Sequence, residues 1–462
     1  MDHAGGSGRS SNSRSVSRRQ LLRMGGGLAG LSVLSACSAT EYVGHVGAAF
    51  TGSESVGADT VVFSFGPEES GTLVAMIDRF NKESGNGVAV EYREMPADSG
   101  QYFDKLRTEF QGGGGTIDVI GGDVIWPIQF AANGWIEDLT ELFDEETRGE
   151  YLDAPIQANT YKGRIYGVPW FTDAGMLYYR KDLLDKAGVK EPPETWNEVM
   201  EISQQIVGDG DAEYGMVFQG AEYEGGVCNG CEFIWTAGGD VLDEQDLSKV
   251  VVDGPKAVRG LETQRRLVQE GVAPEAVAVY KEQESHAAFL GGGYVFVRNW
   301  PYMFGLAADP AISSLEPSQI GVAALPVEES GNRSYSALGG WNFFLNKFST
   351  KKEQAWEFVK FMSRQSTQTE FAVKASLLPT RKSIYEEKHV LNKQPAVELA
   401  KEVTANARPR PTHPFYSDMS LAMSEAFNES LKGISSPDGT VRDLASELQR
   451  LADIGEEVFN VG

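Results

Sequence analysis

Thr60-Val61-Val62-Phe63-Ser64-Phe65 is followed by Leu73, Ile77 and Phe80 at i, i+4, i+7, and then by Val88-Ala89-Val90-Glu91-Tyr92. The first and last runs read as strands, and the spacing between them gives one apolar face of a helix. The pattern continues. Phe103, Leu106 and Phe110 share a second helical face, Ile117-Asp118-Val119-Ile120 reads as a third strand, and an apolar stretch runs from Val124 to Ala132. A β-α-β-α-β order implies an α/β fold with a largely parallel sheet covered by helices.

Outward from this stretch, a second α/β unit begins near residue 170. Met176-Leu177-Tyr178-Tyr179 is strand-like and precedes a short helix ended at Gly188. Thr195-Trp196-Asn197-Glu198 is a capping box opening a further helix. Tyr214 to Phe218, Tyr294 to Val297 and Ser336 to Leu345 read as strands, Lys351 to Ser363 as a helix, and the last hundred residues as mostly helical.

The 462 residues suggest two or three folding units at about 150 residues each. Of these residues, 41% are hydrophobic, enough for sizeable cores. The 66 acidic residues outnumber 41 basic ones, a formal charge of −25 that repels nucleic-acid phosphates. Three cysteines exclude a disulfide-dense scaffold, and five histidines leave little material for a zinc site.

The N-terminus reads as an address. Arg9, Arg14, Arg18, Arg19 and Arg23 precede a Gly-rich apolar run, Met24 to Leu34, and then Leu34-Ser35-Ala36-Cys37. That run is too short to span a bilayer core of about 30 Å. Residues 1–36 fit an export signal. Ser17-Arg18-Arg19-Gln20-Leu21-Leu22 resembles a twin-arginine motif. Leu34-Ser35-Ala36-Cys37 looks like a bacterial lipobox, with Cys37 receiving a diacylglyceryl group, and 37–58 suit a flexible lipidated tether. Gly25-Gly26-Gly27-Leu28-Ala29-Gly30 matches a dinucleotide fingerprint only formally, because no strand precedes it. The expected product is a lipoprotein on the outer face of a bacterial membrane.

Enzyme motifs are scarce. G-x-S-x-G and H-E-x-x-H are absent, and Gly112 to Gly115 is followed by Thr116-Ile117-Asp118 where a P-loop would carry Gly-Lys-Ser/Thr. Those glycines read instead as a helix-to-strand turn. Cys228-Asn229-Gly230-Cys231 reads as a local disulfide or two packed thiols rather than a redox or metal site. What remains is a set of rings and carboxylates at loop or strand ends: Glu68, Glu69, Asp123, Trp126, Trp170, Phe171, Asp173, Glu224, Trp300, Trp341 and Tyr416, with Arg410. Sugar recognition uses this mixture. The C–H face of a pyranose covers an aromatic ring, carboxylates accept from neighbouring hydroxyls, and Arg donates to sugar oxygens. A few charge-assisted bonds of about 1.5–3 kcal/mol each plus stacking reach about −8 kcal/mol, a micromolar affinity.

At these residues the chain resembles the family-1 extracellular solute-binding proteins of ABC sugar importers, especially the trehalose/maltose-binding branch. The resemblance runs over about residues 60–460. It is carried by the order of Asp118-Val119-Ile120-Gly121-Gly122-Asp123-Val124-Ile125-Trp126, Gly134-Trp135, Asp173 to Leu184, Tyr223-Glu224-Gly225, Arg298-Asn299-Trp300-Pro301, Gly339-Gly340-Trp341 and Arg408-Pro409-Arg410-Pro411. It implies two lobes, each a mostly parallel sheet flanked by helices, joined by a hinge. Residues 59–169 plus 320–378 would form one lobe, and 170–319 plus 379–462 the other.

The resemblance also implies a ligand set. Asp123 and Asp173 would accept hydroxyls, beside Phe171, and Trp300 would be a stacking platform. Gly339, Gly340 and Trp341 would form a backbone-and-ring wall, and Arg410 a donor in preference to Arg408. Glu68, or its neighbour Glu69, would follow the first strand, and Glu224 would bind or act structurally. The implied protein is a non-catalytic monomer without metal or cofactor. It would capture a disaccharide, trehalose first and maltose or a relative second, and hand it to membrane permease subunits. Another carbohydrate-like ligand such as a glycerol phosphodiester is the alternative, with an exported glycoside hydrolase the opposing class.

Overall fold

A computed structural model describes residues 60–459, apart from 86, 244, 245 and 247. The export signal, Cys37 and the tether lie outside the described residues. Two sheets organise the rest. The first has the order Leu378–Pro379, Val168–Ala174, Ser336–Leu345, Val119–Asp123, Thr60–Phe65, Ala89–Glu94, with Ala407–Arg408 also paired to Ser336–Leu345. The second has the order Ile320–Ala323, Met176–Arg180, Tyr294–Asn299, Tyr214–Val217.

Helices cover these sheets for the reason their spacing suggests. Helix Thr72–Glu83 buries Leu73, Met76, Ile77 and Phe80, each contributing about 1.5–3 kcal/mol by leaving water. The capping box at Thr195 opens helix Trp196–Gly208. Gly112 to Gly115 make the expected turn, where the Glu109 carboxylate accepts from the Thr116 and Ile117 amides. One core packs on the first sheet around Phe63, Trp170, Phe343 and Phe358, and another on the second around Tyr178, Phe289 and Phe296. A third lies among helices Glu224–Thr236, Pro255–Gln269, Tyr416–Lys432 and Pro437–Phe459.

The pairing is less parallel than the sequence predicts. Thr60–Phe65 is parallel to both its neighbours, and Tyr214–Val217 is parallel to Tyr294–Asn299. By contrast, Ser336–Leu345 runs antiparallel to Val119–Asp123 and Val168–Ala174, and Met176–Arg180 runs antiparallel to both its partners. A helical crossover enforces parallel pairing, but a strand entered from the other sheet escapes that constraint. The chain makes such a passage at Gly175, the single residue between Val168–Ala174 and Met176–Arg180. A Cβ there would lie 2.1 Å from Glu232 Oε1 and 2.5 Å from an Arg298 nitrogen, so only glycine fits.

Sheet membership also departs from the expected lobe boundaries. Residues 170–174 belong to the first sheet and Ile320–Ala323 to the second, while Leu378–Pro379 and Ala407–Arg408 return to the first. Strands that carry the chain between sheets have the same apolar composition as those that stay, so composition does not mark the crossing.

Cys228 and Cys231 are both free and buried, which corrects the disulfide alternative and leaves packed thiols. They sit one turn apart inside helix Glu224–Thr236 and within the third core. Burial raises both thiols well above their ordinary range, holding them protonated and unreactive. Maleimide labelling with peptide mapping is expected to leave both unmodified in native protein. Both should label in guanidinium without reductant; a peptide linked through the pair would contradict this.

Candidate functional site

Sheet register places the first wall of the site. Phe171, Trp341 and Asp123 are successive cross-strand partners, and Asp173 faces Gly339 one step along. Residues directly opposite project to the same face, so a carboxylate and two rings share one row. Asp123 ends strand Val119–Asp123, at the carboxyl edge where open α/β sheets receive ligands. Gly340 has φ +123, and a Cβ there would lie 2.5 Å from the Phe171 carbonyl oxygen. Glycine is required for the strand to bend past Asp123, whose neighbour Val124 donates to the Gly340 carbonyl at 3.0 Å.

The facing wall comes from the second sheet and the helices around it. Trp300 follows strand Tyr294–Asn299, and its Nε1 donates to Glu282 Oε1 at 3.2 Å. The Arg298 guanidinium lies 3.9 Å from the Trp300 ring centroid. Arg410 donates to Glu224 Oε1 at 2.6 Å and to the Leu338 carbonyl at 3.1 Å, and stands 3.6 Å from Asp123 Oδ1. Between the walls lies a cavity of about 560 Å³.

The ten residues of the implied ligand set line it, Glu68, Asp123, Phe171, Asp173, Glu224, Trp300, Gly339, Gly340, Trp341 and Arg410, whereas Trp126, Trp170 and Tyr416 do not. Their roles are not equal. The Glu68 carboxylate is engaged by the Ser70 and Leu73 amides at the start of helix Thr72–Glu83. Glu69 also lines the cavity and carries no hydrogen bond among the described residues, which makes it the better placed of the two. Burial, then Glu68, raises its pKa. Glu224 accepts from Arg410, from the Tyr416 hydroxyl at 2.5 Å and from Ser420, so its carboxylate holds Arg410 in place. Arg408 is turned away, paired with Asp240 and lying over Tyr335. Trp126 and Trp170 pack in the cores, not on the cavity.

Two buried polar atoms of the wall have no protein partner, Asp173 Oδ1 and Arg410 Nε. Such atoms cost about 1–3 kcal/mol each when left unmatched, so they favour a polar occupant. Burial raises Asp123 to about 6, with Arg410 opposing and Glu224 adding to the shift. Burial, then Asp123, raises Asp173 well above the usual carboxylate range. Burial thus disfavours charge on both carboxyls, and hydroxyls that donate to them would offset that cost. Among the described residues no group of three or more His, Cys, Asp or Glu could hold a metal ion, and no helix is long and apolar enough to cross a membrane.

Sequence reasoning missed Tyr223, Glu282 and Tyr302, which also line the cavity. Each is brought in by a helix or loop of the second wall; Tyr223 adjoins Glu224 in a segment the resemblance marks, whereas no local motif marks Glu282 or Tyr302.

Comparisons with known proteins concern the chain as a whole. A family model described as "Bacterial extracellular solute-binding protein" matches residues 66–369. A Deinococcus radiodurans protein named "Probable ABC transporter-binding protein" is 34% identical over 386 residues, spanning 82% of this chain and 90% of the relative. The solved structure "Maltose bound T. maritima MalE3" is similar with a TM-score of 0.80 at 36% identity, over 85% of this chain and 99% of that one. A solute-binding protein from Thermotoga lettingae, "bound with alpha-D-Tagatose", gives 0.76 at 25% identity, over 86% and 100%. The two-lobe α/β architecture is shared with these structures. The chain thus belongs to the bacterial extracellular solute-binding protein family, an extracytoplasmic binding protein and not an enzyme.

Proposed function

We propose that this protein captures a neutral disaccharide between its two lobes and delivers it to an ABC permease, with trehalose and maltose as the first ligands to test. The observation that carries this reading is the cavity itself, where Asp123, Asp173 and unpartnered Arg410 Nε stand beside the rings of Trp300, Trp341 and Phe171. The maltose-bound relative at 36% identity supports an α-linked glucose disaccharide. A glycerol phosphodiester is disfavoured. Arg410 is already paired with Glu224, and Lys374 at the rim with Glu370, while Glu69, Asp123, Asp173 and Glu282 add no positive charge to hold a phosphate. Closure follows from differential affinity, since only the closed form lets both walls touch one ligand. The export signal would take the twin-arginine route, and a lipid on Cys37 would keep the monomer near its permease.

Tryptophan fluorescence titration with trehalose, maltose, tagatose and glycerophosphocholine tests the class. Saturable change with a disaccharide supports the proposal; a response to the phosphodiester alone would overturn it. The pH dependence has a definite sign. Asp123 is raised in the folded protein, so its ionisation lowers stability as pH rises from its ordinary value to about 6. Hydroxyl donors favour the carboxylate, so ligand binding releases a proton. Affinity for maltose is expected to rise about tenfold between pH 5 and 7. Calorimetry in buffers of different ionisation enthalpy reads this directly, and proton uptake on binding would contradict it.

A further inference from the structure

Helix Glu282–Leu290 begins at the mouth of the cavity, and two consecutive residues there reach three groups. Lys281, at its N-cap, places Nζ 2.5 Å from Asp98 Oδ2. Asp98 belongs to the opposite wall, where its Oδ1 caps helix Ser99–Gln111 by accepting from the Gln101 amide at 3.0 Å. The same ammonium lies 5.0 Å from the centroid of the Tyr223 ring. Glu282 divides its carboxylate between Trp300 Nε1 at 3.2 Å and the Tyr223 hydroxyl at 2.8 Å. Glu282, Tyr223 and Trp300 line the cavity, as do Ala97 and Ser99 on either side of Asp98.

We propose that Lys281 and Glu282 form a closure latch keyed to the stacking platform. Glu282 is a positioning residue that fixes the Trp300 indole, and Lys281 carries that wall to Asp98 across the cleft. The proposal rests on the reading of the cavity as a sugar site. An indole tied at Nε1 presents one ring orientation, so a ligand finds the platform already set. The ammonium and carboxylate meet only when the walls are together, so their attraction adds to the closed state and to nothing else. Side-chain exposure of 35% for Lys281 and 15% for Asp98 places the pair at a rim that salt still reaches. Because 281 and 282 are adjacent at one helix start, the wall cannot swing away with Trp300 in place while the pair survives.

Two variants isolate the charge. Asp98→Asn keeps the helix cap, since Asn caps as well as Asp, and Lys281→Met keeps the stem over Tyr223. Each is expected to weaken maltose binding about two- to fivefold. The double variant should be no weaker than either single one. Raising NaCl from about 50 to 500 mM should weaken the wild type by a similar factor and leave the double variant unchanged. Glu282→Ala should lose at least about tenfold, and Glu282→Gln, which keeps an acceptor for the indole, should recover part of that. By small-angle scattering without ligand, the double variant should have a larger radius of gyration than the wild type at low salt. Multiplying effects of the two single variants, or equal salt responses in wild type and double variant, would overturn the latch. If wild type binds no maltose, the sugar reading fails on its own. The ligand-free scattering then decides the latch, with identical radii rejecting it and a larger double variant supporting it.

Discussion

Glu232→Ala is expected to destabilise the folded chain by about 3–5 kcal/mol. Its carboxylate receives Arg298 Nε at 2.7 Å and a second guanidinium nitrogen at 2.5 Å, with side-chain exposures of only 3% and 2%. The Ala337 amide adds a third bond at 3.0 Å, and Gln219 Oε1 accepts from Arg298 at 3.1 Å. The network joins helix Glu224–Thr236, strand Tyr294–Asn299 and strand Ser336–Leu345 at the point where the chain passes between sheets. Removing the carboxylate strands a buried guanidinium beneath Trp300, so binding should weaken along with stability. A urea melt monitored by circular dichroism checks the first effect. An unchanged midpoint would mean that the crossing does not depend on this pair.

Asp123→Ala is expected to weaken sugar binding by between about tenfold and a hundredfold, from the loss of one or two charge-assisted hydrogen bonds. Its effect on stability should have the opposite sign. Burial already disfavours the Asp123 carboxylate at neutral pH, so the alanine variant should be as stable as wild type or slightly more so. A residue whose removal harms binding and spares the fold is serving the ligand. Calorimetry paired with a thermal melt tests both halves, and a variant with normal affinity or a collapsed melting point would remove Asp123 from the site.

The parts of this molecule that were legible in its sequence are those with local periodicity. Leu73, Ile77 and Phe80 mark their helix because three side chains must share one face, and Thr195 with Glu198 marks a helix start because orphan amides need partners. The lobe boundary expected at 320 does not coincide with sheet membership, because a four-residue strand such as Ile320–Ala323 carries no sign of which edge it will join. Two-residue strands such as Leu378–Pro379 carry no pattern at all. In the site, Asp123, Trp300, Trp341 and Arg410 were reached through ordered segments that resemble a family. Glu282 stayed hidden because its role is defined by Trp300 and Tyr223, 18 and 59 residues away. Glu68 and Glu69 both line the cavity, and which of two adjacent carboxylates caps the following helix is a matter of backbone path that the sequence does not mark.

In the capture proposed for this cavity, one neutral sugar is held between two walls and leaves unchanged. Isothermal titration of the purified protein with maltose and with trehalose, followed by recovery of the sugar, tests it most directly. One site per chain, an affinity near the micromolar range for at least one of the two, and disaccharide recovered intact are the expected results. No heat with either sugar, or glucose in the recovered fraction, would contradict it.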